Sequence, residues 1–139
     1  MTRQVNFNGY IQRLIPMLLI WGTMVHEYGH LIALRLMGLT GEIRSTGLNL
    51  TWLINGATDE QIYIWCMAGG LLQAVYGVSS MLYESDNETW LSGFTVACQG
   101  LTYMWWEYPR LIELGALFSI IVTMFAVIYL QLTKVISFE

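Results

Sequence analysis

Charge is scarce in this chain. Asp, Glu, Lys and Arg make up 12% of its 139 residues, about half the share of a typical soluble domain. The net charge of −4 comes mostly from loop residues, and the absence of any basic cluster argues against a nucleic-acid partner. Cysteine is equally sparse. Cys66 and Cys98 are the only two, and both fall in apolar segments, as small packing residues do. The eight methionines form no Met-x-x-Met cluster, so core filling explains them better than copper binding. Nor is there length for a second large domain. What the chain has in abundance is apolar surface. Hydrophobic residues reach 55% and the mean hydropathy is +0.51, which predicts an integral, multi-pass membrane protein with lipid as its surroundings.

The hydrophobic pattern predicts an all-α membrane protein of about four transmembrane helices in a single domain. The spans fall at about 11–37, 62–83, 90–107 and 111–133, each near the roughly 20 residues a bilayer requires. Pro16 sits in the first turns of the first span, where it is tolerated, and Gly38 ends that span. The stretch that follows alternates, with Leu48, Leu50, Trp52 and Ile54 interleaved by Asn49, Thr51 and Leu53. Period two predicts a strand. Glu42-Ile43-Arg44 would be its partner through a turn at Ser45-Thr46-Gly47, giving a small β-hairpin at about 42–54 after the first helix. Thr58 and Gln61 have capping-box spacing for the second span, in which Ala68, Gly69, Gly70 and Gly77 permit close helix approach. Glu107-Tyr108-Pro109-Arg110 interrupts the last two spans. Arg3, Arg13 and Lys134 would lie on one side and Arg35, Arg44 and Arg110 on the other, so positive charge does not choose an orientation. Arg35, within the first span, reads as a side chain snorkelling to the interface.

One pentapeptide stands out from its surroundings. His26-Glu27-Tyr28-Gly29-His30 lies inside an apolar run, where a charged side chain at mid-membrane costs about 2.5–3.5 kcal/mol on insertion scales. On a helix, His26 and His30 project from one face with the spacing of a zinc-binding pair. Glu27 is placed to act as general base on a water beside the ion. Gly29 leaves room for a neighbouring backbone or a substrate. On the third span Gln99, Tyr103 and Glu107 are spaced by four and form one polar face directed at the bundle interior.

These residues resemble the site-2 protease family of intramembrane zinc metalloproteases. The likeness covers about residues 10 to 130 and is specific at the His26–His30 motif. Met67-Ala68-Gly69-Gly70-Leu71-Leu72-Gln73-Ala74 is similar to the family's Ala-Gly-Pro-Leu-x-Asn segment, with Gly70 in place of Pro and Gln73 in place of Asn. The resemblance implies that Gln73 helps position substrate or polarise the scissile carbonyl; packing as an amide between helices is the alternative. The family's third ligand is an Asp on a later helix, and this sequence has none there, since Asp86 falls in a polar loop. Glu107 is the first candidate for that ligand. Glu113, in Glu113-Leu114-Gly115, is the second, with an ion pair to Arg110 as its other reading.

The resemblance therefore implies Zn2+ held by His26, His30 and Glu107, with Glu27 and Gln73 as catalytic residues. It implies hydrolysis of peptide bonds in a transmembrane protein substrate, whose unwound segment would pair with the hairpin as an added strand. The alternative is a non-catalytic accessory subunit of a larger membrane complex, packed against partner subunits and retaining the metal-binding motif.

Overall fold

Asn6 opens the first helix by accepting a hydrogen bond from the Gly9 amide at 2.8 Å, one of the donors a helix start leaves unpaired. The computed structural model describes residues 1–46, 49–83, 86–107 and 112–139. Leu48, Tyr108, Pro109 and Arg110, as well as the side chain of Glu113, lie outside what it describes. The elements in chain order are β1 (Arg3–Val5), α1 (Phe7–Pro16), a π-helical stretch (Met17–Gly22), α2 (Thr23–Leu36), β2 (Gly41–Thr46), β3 (Asn49–Ile54), α3 (Asp59–Tyr83), α4 (Asn87–Trp106), α5 (Ile112–Leu132) and β4 (Ile136–Phe138). Since α1, the π stretch and α2 run without a break, the molecule is four helices with two small sheets.

Pro16 is not in the first turns. The helix starts at Phe7, so Pro16 ends α1 nine residues in. A proline there withholds an amide from the helical ladder, and the wider π winding of Met17–Gly22 follows directly. Such windings commonly mark functional segments, and this one ends four residues before His26. Gly38 closes α2 with φ +68°. The amides of Gly38 and Leu39 return to the carbonyls of Arg35 and Leu34 at 3.2 and 2.9 Å, which satisfies the open carbonyls of the last turn.

The hairpin forms, and its pairing extends beyond the expected turn. Ser45 and Thr46 are strand residues opposite Leu50 and Asn49, while Gly41 pairs with Ile54 at the far end. The Thr58–Gln61 capping box is present and reciprocal. Thr58 N donates to Gln61 Oε1 at 2.9 Å and Gln61 N to Thr58 Oγ1 at 3.3 Å.

Helices α3 and α4 meet along a seam of small residues. A Cβ on Gly77 would sit 2.5 Å from both the Gly93 carbonyl oxygen and the Ala97 nitrogen, and one on Gly100 would sit 2.6 Å from the Gly70 carbonyl. The backbones can approach this closely only because no side chain intervenes.

At the opposite end from the hairpin, β1 pairs in parallel with β4, Arg3 opposite Ile136 and Val5 opposite Phe138. Val5, Tyr10, Leu91 and Ile136 form the buried core there, and Tyr10 Oη lies 2.9 Å from Thr95 Oγ1. The terminal pair, absent from the expectations above, fixes the starts of α1 and α4 beside the end of α5.

The apolar distribution is inverted relative to a water-facing bundle. Ser92, Thr95, Ser119 and Thr123 are buried, whereas Leu19 (66% exposed), Leu82 (77%) and Phe125 (67%) stand outside with many other large apolar residues. Among the described residues, one helix, Asp59–Tyr83, is by itself long and apolar enough to cross a membrane, and 117–132 forms a shorter apolar helix.

Candidate metal centre

On α2, His26 and His30 are one turn apart and share a face. That face is pressed onto α3 at a point without side chains. A Cβ on Gly29 would lie 2.9 Å from Gly69 Cα, and one on Gly69 would lie 2.5 Å from His30 Nε2 and 2.8 Å from His26 Nε2. Gly29 therefore admits the backbone of α3, and Gly69 leaves the space in front of the two imidazoles open.

Helix α4 completes the group. Glu107, its C-cap residue, brings Oε1 to 3.0 Å from His30 Nε2 and Oε2 to 3.5 Å from His26 Nε2. The two Nε2 atoms are 3.1 Å apart. His26 and His30 are 8% and 1% exposed. Glu107, Tyr103 and Gln99, expected on one face, all engage the centre. The ring of Tyr103 lies edge-on to His26 at 5.2 Å, and Gln99 binds Gln73.

The neighbours of the histidines decide where their protons lie. His30 Nδ1 is 2.8 Å from the Trp65 carbonyl oxygen, an acceptor only, so Nδ1 carries the proton and donates it. His26 Nδ1 is 3.2 Å from Gln73 Oε1 and donates likewise. Gln73 Nε2 in turn donates to Gln99 Oε1 at 3.1 Å. Both rings thus turn Nε2 toward a carboxylate. Nitrogens and carboxylate oxygens at 3.0–3.5 Å require a positive charge between them, either a proton on an imidazole Nε2 or a cation. Glu107 Oε2 is moreover buried without a hydrogen-bond donor, which is costly for a charged oxygen.

The spacing suits a small cation. Ligands bonded at 2.0–2.1 Å to a tetrahedral ion stand about 3.3 Å apart; the two imidazole Nε2 atoms are 3.1 Å apart, and one oxygen of Glu107 faces each of them. His26, His30 and Glu107 could therefore hold a metal ion, with Gln73 and the Trp65 carbonyl fixing ring orientation as outer hydrogen bonds do in metal sites.

Glu27 turns away from this triangle toward the hairpin. Its Oε2 accepts from Trp52 Nε1 at 2.8 Å, yet its charge is near enough to act on His30 and Tyr103. Trp65 stacks on His30 at 4.3 Å, and Trp52 stands edge-on to Trp65 at 5.8 Å. Sequence reasoning gave no role to Trp52 or Trp65. The alternation of the hairpin marked Trp52 as one-sided, but nothing local shows which helix it meets. Gln73, expected either to position substrate or to pack as an amide between helices, is found with both ends of its amide engaged, by His26 and by Gln99. Compared with known proteins, the chain matches no family model, no curated protein and no solved structure.

Proposed function

We propose that the protein is a multi-pass intramembrane zinc peptidase of site-2 protease type, acting on membrane-embedded polypeptide. The observation that carries this reading is the convergence of His26 Nε2, His30 Nε2 and a Glu107 carboxylate oxygen lacking a donor, with Glu27 adjacent in sequence. Two imidazoles and a carboxylate are a zinc-peptidase donor set that leaves one position open. The membrane setting is supported by the many large apolar side chains exposed on the bundle, beside buried polar groups such as Ser92, Thr95 and Thr123, an arrangement unfavourable in water and natural in lipid.

When bound, zinc supplies Lewis acidity, polarising a carbonyl and acidifying water. The chain supplies the rest. His26 and His30 hold their rings through Gln73 and the Trp65 carbonyl, so Gln73 acts here by orienting His26. Glu27 takes the proton from water and returns it to the leaving amine. The edge of β3 away from β2 is unpaired among the described residues and would accept an unwound substrate as an added strand. His30 is six residues from the end of α2, about 9 Å of helix, so an extended chain on the hairpin is within reach of the centre.

The test pairs metal content with cleavage. Glu27→Gln should retain zinc at wild-type stoichiometry and lose cleavage by about 10²–10⁴-fold. His26→Ala and Glu107→Ala should lose zinc, whereas Glu113→Ala should keep it; zinc lost with Glu113 alone would reassign the third ligand. The exposed apolar exterior, including Trp21 and Trp105, also suits packing against other helices, and that supports the accessory-subunit reading. Stoichiometric co-purification with partner subunits, together with a Glu27→Gln variant that functions normally, would decide for it.

A further inference from the structure

The Trp52 side chain meets two rings and makes one hydrogen bond among the described residues. Trp52 pairs across the hairpin with Ile43, stands edge-on to Trp65 and His30 at 5.8 and 6.2 Å, and gives its only donor to Glu27 Oε2 at 2.8 Å. An indole nitrogen can donate but not accept, so the bond requires an oxygen acceptor on residue 27. Among the described residues, the Trp52 indole is the donor found at the Glu27 side chain, and it engages Oε2. One carboxylate oxygen is thereby fixed by the hairpin while the other remains available for a proton.

We propose that Trp52 is a positioning residue that ties the hairpin to the general base, so that Glu27 is oriented only while the hairpin is seated on α2 and α3. The inference rests on the reading of Glu27 as base. It assigns a regulatory contact to that site. β3, one of the hairpin's two strands, each with an open edge among the described residues, also carries Trp52, so a substrate strand added to β3 would couple docking to the orientation of the base. A hairpin lifted away from α2 would leave the metal ligands in place, since none of them is on it, and would release the base.

The test uses full-length, zinc-loaded protein in detergent micelles, comparing Trp52→Phe, Glu27→Gln and Glu27→Ala with wild type. One arm measures hydrogen–deuterium exchange of the hairpin amides at 41–46 and 49–54; the other measures steady-state cleavage of fluorescein-labelled casein. A hydrogen bond to a charged group supports the expectation of about a tenfold acceleration of hairpin exchange in Trp52→Phe and Glu27→Ala. Glu27→Gln retains an acceptor and should retain protection. Trp52→Phe should keep its zinc and lose about tenfold in kcat, with KM within about twofold. Wild-type exchange in both Trp52→Phe and Glu27→Ala, or a Trp52→Phe defect confined to KM, would overturn the proposal. Should the wild type bind no zinc and cleave no casein, the peptidase reading fails, and the exchange arm still decides whether Trp52 and residue 27 hold the hairpin.

Discussion

Gly69 on α3 faces both imidazoles, and its missing side chain leaves the space into which both Nε2 atoms point. Gly69→Ala would place a methyl group 2.5 Å from His30 Nε2, forcing the ring or the helix to move. We expect zinc affinity to fall by about tenfold or more, read by competition with a chromogenic chelator, while the helical circular dichroism remains. A second residue-scale expectation concerns Asp86, which caps α4. Burial works against its charge, but the Thr89 amide and hydroxyl and the nearby Arg13 guanidinium outweigh it and hold the carboxyl below its ordinary value. A carboxyl lowered in the folded state stabilises above its ordinary range near 3.8, and that contribution is lost as pH falls through the folded value. Asp86→Asn keeps a capping side chain and should show a smaller drop in melting temperature between pH 5 and pH 3 than wild type, on the order of a degree or two for so exposed a pair.

Among the elements, the α3–α4 seam and the hairpin show what the sequence could and could not reveal. The seam was legible in Gly70 and Gly77, and the contact of α3 with α2 in Ala68 and Gly69, because small residues in an apolar helix have a packing meaning of their own. Its energetics are testable. Gly77→Ala meets backbone rather than flexible side chain and should destabilise by about 1–3 kcal/mol, measured by thermal unfolding in detergent. Val78→Ala, on the exposed face, should cost far less. The polar face of Gln99, Tyr103 and Glu107 was legible for a similar reason, since a period of four on an apolar helix identifies an inward stripe. The link from Trp52 to Glu27 was not legible, because it depends on how a strand folds back over a helix 25 positions away. The π stretch was hidden because it follows from where the helix starts, and the polar Asn6-Phe7-Asn8-Gly9 segment hid that start. The three-residue strands at the two ends carry no periodic signal of their own.

Across the whole molecule, the proposed ion would join α2 to the end of α4, two elements otherwise linked through α3. Metal that binds only the folded state adds about 2.7 kcal/mol at a hundredfold excess over its dissociation constant. Chelation should therefore lower the melting temperature of the wild type, and His26→Ala should melt at the lower temperature with or without chelator. Equal chelator sensitivity in both proteins would place the stabilising ion elsewhere. The four-helix architecture with its hairpin was legible from the number of apolar runs and the one alternating stretch, while among the described residues only Asp59–Tyr83 is by itself long and apolar enough to cross a membrane.

The parallel pair of Arg3–Val5 with Ile136–Phe138 settles a matter of parity. On the proposed membrane reading, a chain whose two end strands hydrogen-bond to one another traverses the bilayer an even number of times, whatever the hydropathy of each helix. That reading predicts that reporter domains fused before Arg3 and after Phe138 register on the same face, and a reporter inserted in the hairpin on the other.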